Sequence, residues 1–405
     1  MSSRSSRRSS VISRGKKRAA AVLVVAAVAT SGLSACTING NGGNGQAQAA
    51  KGADKKKNTP PSFSLPDGAT DVKPTAGVTV KAGTDKLSQV TMTNEDGKEI
   101  KGELAPDGSS WKLGEVLGYG RKYTMKATTT NGDSSTSSFT TLSPQVQNNV
   151  AVTPAPDSIV GVGQSINFVF NEAPKNRKAV QDAIKISTSN NTVGAFYWIS
   201  PNEVRWRPKD FWQPGTKVNV AANIYGTDMG DGVYGGDSQN MNFTIGDDVR
   251  AEVNDDTKTM TVFKNGQLLR TIPVSLGEDV PGKATPWGVY VVGERDPKIL
   301  MDSTTFGLPY SKGGYSTMVD WATQLSYNGI YVHSAPWSIA QQGVSNASHG
   351  CVNVSPEAAQ WFQETVKRGD VVTINNTSGG QLPGTDGLGQ WNIPWETWSA
   401  GNANV

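Results

Sequence analysis

Ile330-Tyr331-Val332-His333-Ser334 and, further on, Ser348-His349-Gly350-Cys351-Val352-Asn353 decide how this chain is read. The first segment is an apolar run that ends in an imidazole, which places His333 at a strand end. The second puts a thiol directly behind a histidine and a glycine. The chain has two histidines, His333 and His349, and two cysteines, Cys36 and Cys351. A thiol with imidazoles close by is the equipment of nucleophilic acyl transfer. The thiolate attacks, an imidazole takes the proton, and backbone N–H groups hold the oxyanion. No histidine outside this window can act as base, so a histidine-assisted site is built here around Cys351 as nucleophile. A zinc site made of His333, His349 and Cys351 lacks a foreseeable fourth ligand and the spacing of zinc modules.

Outward from this window the chain reads as a compact β-rich domain over 249–376. Thr259 to Phe263 alternates, Lys264-Asn265-Gly266-Gln267 is a type I′ hairpin signal, and Leu268 to Leu276 returns. Trp287 to Gly293 is a further strand. Ser355-Pro356-Glu357 starts a helix with Ser as N-cap and Pro in the first turn. Ala359, Phe362 and Val366 give it one apolar face, and Gly369 marks its stop. This helix is expected to buttress the Cys351 strand.

Further upstream the pattern repeats. Trp111 precedes Gly120 and the alternating run Arg121 to Ala127; Trp206 precedes Gly215 and the alternating run Thr216 to Ala222. Short strands with Gly, Pro and Asn turns predict two Ig-like sandwiches over 62–145 and 148–247. The fold class expected is thus mostly β, with one or two short helices in the last domain. The loop Asp228-Met229-Gly230-Asp231-Gly232 in the second sandwich is a weak calcium candidate through Asp228, Asp231 and Gly232. The tail 377–405 carries Trp391, Trp395 and Trp398, which are expected to dock on the body rather than stay in water.

Residues 1–35 read as an export signal: a basic start, an apolar run from Ala19 to Val28, then Leu33-Ser34-Ala35-Cys36. That ending resembles the lipobox of bacterial lipoproteins, which implies a lipid on Cys36 and a membrane anchor. The formal charge of +3 includes seven positive charges and no acid in residues 1–35, so the processed chain sits at −4 and nucleic-acid binding is disfavoured. Residues 36–61, rich in Gly, Asn and Lys, read as a disordered tether. With Cys36 lipidated, Cys351 is the one thiol left, which suits a reactive group better than a disulfide.

The string from His333 to Asn353, with Thr285-Pro286-Trp287-Gly288, Met301-Asp302-Ser303, Gly313-Gly314-Tyr315, Ala335-Pro336-Trp337 and Trp391-Asn392-Ile393-Pro394-Trp395, resembles the L,D-transpeptidase catalytic domain of the actinobacterial type. The resemblance implies a cofactor-free enzyme that takes a peptidoglycan tetrapeptide stem, forms a Cys351 thioester with release of D-Ala, and passes the acyl group to a diamino-acid side chain as a 3→3 cross-link. It implies acylation by carbapenem β-lactams. His333 is then the base, and Ser334 orients it through its carbonyl. The amides of His349, Gly350 and Cys351 form the oxyanion hole. Tyr315, Ser348 and Asn353 bind substrate, and Asn328 and Gly329 present main-chain groups. Met301, Phe306 and Trp337 wall the pocket or move as a lid. His349 shapes the loop, with a second acid–base role as the alternative. Two rival functions stand beside this reading: a carboxypeptidase or endopeptidase of the same chemistry, and a non-catalytic wall-binding lipoprotein.

Overall fold

The structure, a computed structural model, describes residues 58–404. The export signal, Cys36 and most of the tether lie outside the described residues. No helix among the described residues is long and apolar enough to cross a membrane.

The first half is built twice over. In the first sandwich, Ser62–Phe63, Thr79–Lys81, Ser110–Leu113 and Gly102–Leu104 form one sheet in that spatial order. Ala69–Val72, Ser134–Thr141, Lys122–Thr129 and Leu87–Asn94 form the other. The second sandwich repeats this order with Val150–Thr153, Ile166–Phe170, Glu203–Pro208 and Gly194–Ser200 against Ile159–Val160, Gln239–Ile245, Lys217–Ala222 and Ile184–Thr188. Even the parallel pairing of the second strand with the last recurs. The tryptophan–glycine repeat has a physical basis here. Trp111 and Trp206 are buried, and each indole lies against a glycine on the neighbouring strand. A Cβ on Gly102 would stand 2.0 Å from the Trp111 ring, and one on Gly194 would stand 2.1 Å from Trp206.

Between the sandwiches, Val146–Asn148 is itself a strand, parallel to Val233–Gly235, which turns back on Asp228–Gly230. The residues expected as a calcium candidate, Asp228, Asp231 and Gly232, shape this hairpin. The Asp228 carboxylate accepts the Gly230 N–H at 2.9 Å, Asp231 and Gly232 supply the positive φ of the turn, and the Gly232 carbonyl accepts the Gln145 N–H. The loop is thus an inter-domain hairpin, and no group of three or more His, Cys, Asp or Glu among the described residues could hold a metal ion.

In the last domain a five-stranded sheet runs Gln267–Pro273, Thr259–Lys264, Val249–Asn254, Val371–Asn375, Gly288–Val291. Asn265 and Gly266 both take positive φ, as the I′ turn requires. A four-stranded sheet runs Arg295–Asp302, Ser316–Gln324, Tyr331–Ser334, Val352–Val354. The helix Pro356–Thr365 packs on this second sheet, with Ser355 capping Ala358 and Phe362 fully buried in the core the two sheets share. It ends at Thr365, earlier than Gly369 suggested, because Val366 turns extended; Gly369 instead makes a turn against the second sandwich, where the Gly161 and Gly163 amides donate to the carbonyls of Arg368 and Gly369. The tail docks on the second sandwich through a short helix, Trp395–Ala400, whose Trp398 is fully buried and donates to the Ala195 carbonyl.

Candidate active site

Neighbouring strands bring His333 and Cys351 to one cavity, Cys351 directly preceding the strand Val352–Val354. Tyr331–Ser334 runs parallel to Val352–Val354, with His333 opposite Asn353. Both side chains line one cavity of about 290 Å3, together with Met301, Tyr315, Trp337, Ser348, His349 and Asn353. The His333 Nδ1 lies 2.9 Å from the Ser334 carbonyl, the contact that leaves Nε2 as the free nitrogen. The Cys351 thiol donates to the Gly329 carbonyl at 3.4 Å.

Burial shapes the resting protonation of the pair. It pushes the Cys351 thiol up to about 11, with the Tyr331 amide opposing. It also holds the His333 imidazole below its ordinary value, against the raising contact with Ser334. The pair therefore rests as thiol and neutral imidazole, and proton removal has to accompany attack on the acyl carbonyl.

The loop that carries Cys351 is pinned from several sides. Gly350 sits at φ +130°, and a Cβ there would press on Ile330 at 2.8 Å, so glycine is required. Its carbonyl accepts the buried Thr285 hydroxyl at 2.8 Å, and Thr285 in turn accepts the Gly277 amide. Asn346 accepts the Leu276 amide and donates to Asp255 at 3.0 Å. The Ser348 hydroxyl accepts the Gly350 N–H at 3.0 Å and donates to the Cys351 carbonyl at 2.7 Å. Two expectations change as a result. Ser348 lines the cavity, but its hydroxyl is committed to the loop instead of to substrate. The Gly350 amide is already bonded, so the oxyanion donors left are the amides of His349 and Cys351, which have no acceptor among the described residues.

Asn353 is buried, and its amide group donates to Ser338 at 3.1 Å. Its Oδ1 is buried without a partner, on a residue that lines the cavity. A second cavity of about 300 Å3 is lined by Phe306, Asn328, Gly329 and Gly350 and shares Tyr315 and His349 with the first. The Tyr315 and His349 rings, 5.0 Å apart, stand between the two spaces. Phe306 is 44 % exposed, and its ring lies over Gly329. Trp337 is 58 % exposed and flanks His333 at 6.0 Å. Asn346, which holds the loop, carried no functional signal in sequence, and Thr285 carried one only as part of the Thr285–Gly288 motif, since each acts through a contact made far along the chain.

A cysteine and a histidine lining one cavity, in a β domain that follows two Ig-like sandwiches, define an acyl-transfer type of site, and comparison with known proteins places it. Residues 69–228 match a bacterial Ig domain, and residues 248–374 match the L,D-transpeptidase catalytic domain. L,D-transpeptidase 2 of Mycobacterium tuberculosis (strain CDC 1551 / Oshkosh) is 49% identical over 346 residues, 84% of each chain. L,D-transpeptidase 1 of strain H37Rv is 37% identical over 55% of this chain and 83% of its own. A solved L,D-transpeptidase in complex with imipenem is 37% identical over 56% of this chain and 99% of its own, with a TM-score of 0.49. The chain belongs to the L,D-transpeptidase family of cysteine-dependent acyltransferases.

Proposed function

We propose that this chain forms 3→3 peptidoglycan cross-links through a Cys351 thioester. The observation that carries the reading is that His333, on the strand Tyr331–Ser334, and Cys351, directly before the neighbouring strand Val352–Val354, line one cavity with Asn353. A tetrapeptide stem enters this cavity and gives an amide N–H to Asn353. Cys351 attacks the carbonyl before D-Ala while His333 takes the thiol proton, and the oxyanion forms against the His349 and Cys351 amides. His333 returns the proton to the departing amine of D-Ala. The side-chain amine of a second stem then attacks the thioester, loses a proton to His333, and leaves as the cross-linked product while the thiol reforms. Carbapenems are read as acylating the same thiol, in keeping with the imipenem complex of a relative. Lipid on Cys36 would hold the enzyme at the outer face of the cytoplasmic membrane, its tether reaching into the wall.

The test is incubation with a disaccharide-tetrapeptide followed by product mass analysis. Dimer supports the proposal, tripeptide points to hydrolysis, and no change points to a binding role. Cys351→Ala should abolish dimer formation and the imipenem adduct; turnover in that variant would sink the thiol mechanism. Cys36→Ser should release the chain from membranes without altering turnover, and retention at the membrane would refute the lipid anchor.

A further inference from the structure

The Gly329 carbonyl that receives the Cys351 thiol belongs to a tight turn, Ser326 to Ile330, between two strands of the site. Gly329 takes φ +92°, and the Ile330 amide donates to the Ser326 hydroxyl at 3.0 Å. The rest of the turn is held from outside. The amides of Tyr327 and Asn328 donate to the two oxygens of one buried carboxylate, Asp386, at 3.0 and 3.2 Å. Asp386 lies in the C-terminal tail, 59 residues along the chain from Tyr327. A single carboxylate that takes two successive amides sets the plane of the turn, and with it the aim of the next carbonyl. The tail is itself gripped by the second sandwich. Arg205, buried on the strand Glu203–Pro208, donates to the Gly387 carbonyl and to Gln390 at 3.4 Å. The Tyr327 ring lies so close over Gly387 that a Cβ there would stand 2.2 Å from it.

We propose that Asp386 is a positioning residue for acyl transfer: it holds the Tyr327–Gly329 turn so that the Gly329 carbonyl fixes the Cys351 thiol in the cavity, and through Arg205 it makes the second Ig-like sandwich part of the nucleophile's support. The inference rests on Cys351 being the nucleophile. An amide in place of the carboxylate can accept from one of the two N–H groups and presents a donor to the other. The turn then rotates, the thiol loses its acceptor and gains water, and the sulfur leaves its attack position.

Two rates measured on the full chain separate this from general loosening. In Asp386→Asn, alkylation of Cys351 by iodoacetamide at mildly alkaline pH should rise ~tenfold, because a thiol freed from its acceptor ionises more readily. Acylation by imipenem should fall ~tenfold or more, because small misplacement of a nucleophile is costly. Circular dichroism should show the fold kept. Trp398→Ala, which loosens the tail away from Asp386, should lower the thermal midpoint without splitting the two rates. Rates within about twofold of the parent in folded Asp386→Asn, or the same split in Trp398→Ala, overturn the proposal. Should Asp386→Asn not fold, Asp386→Glu is judged by the same two rates. Failure of imipenem to acylate the parent would count against the functional reading, while the alkylation rates would still decide the role of Asp386.

Discussion

The two sandwiches share one strand order, yet among the described residues it is the second that holds the C-terminal tail by side chains on its outer face. The equivalent strands are Ser110–Leu113 and Glu203–Pro208, each with a buried tryptophan facing inward. The residues flanking Trp111 are Ser110, half-buried, and Lys112, exposed. Those flanking Trp206 are Arg205 and Arg207, both nearly fully buried. Arg207 lies over the rings of Trp391, Trp395 and Trp398 at 4.5, 5.5 and 4.6 Å and donates to the Ile393 carbonyl. Burial pushes its guanidinium down to about 10, with Asp210 opposing, so it stays a cation at neutral pH. The same fold thus leaves this face open to solvent once and once offers it as a plate on which the tail is bolted. The difference is two outward positions, because a sandwich core constrains only the inward ones.

The largest test of this contrast is Trp398→Ala. It should cost about 3–5 kcal/mol in denaturant unfolding, as loss of a fully buried indole does. A cost below about 1 kcal/mol would mean that the tail is not bolted at all. Arg207→Ala should follow at about 2–3 kcal/mol, since it removes a desolvated cation from three rings and a hydrogen bond. Its counterpart Lys112→Ala should stay within about 0.5 kcal/mol; equal costs would erase the contrast. The cores should behave alike where the faces do not. Gly102→Ala and Gly194→Ala each force a Cβ into an indole, and each should lower stability by about 1–3 kcal/mol. A difference between them larger than that range would show that the duplicated cores have diverged.

The smallest effect concerns pH. His333, held below 6.5 by burial, must be neutral to act as base. Acylation by imipenem should therefore rise with pH through a value below 6.5 and be lost as pH falls through it. With the thiol at about 11, no second rise near the ordinary thiol value is expected. Removing 62–145 should leave this profile and its plateau within about twofold, because no residue of the first sandwich lines either cavity of the site. A moved acid limb would make the first sandwich a partner of the site.

Much of this was legible in the chain because local signals carry it. The Trp–Gly spacing marked the duplication, Asn265-Gly266 its hairpin, and Ser355-Pro356 the helix start. Scarcity pointed to the window from His333 to Cys351, which holds both histidines and one of the two cysteines, while the choice of His333 over His349 came from the family resemblance. Ser348 was misread because a hydroxyl beside a nucleophile suits substrate and loop equally, and only the path of the backbone shows that it bridges Gly350 and Cys351. The Asp228 loop was ambiguous for a similar reason: carboxylates and glycines make both cation sites and hairpins, and here they form a hairpin.

By itself the sequence determined the strand and turn periodicities, the duplicated β architecture and the cysteine–histidine window proposed as the site, since these depend on residue type and short spacing. Tertiary structure alone decided what surrounds them: which amides remain free for an oxyanion, which way the thiol points, and which sandwich carries the tail. Those depend on contacts such as Thr285 with Gly350, Asp386 with Tyr327, and Arg207 with Trp398, each made across 59 to 191 residues of chain, and no local pattern records a partner that only folding brings near.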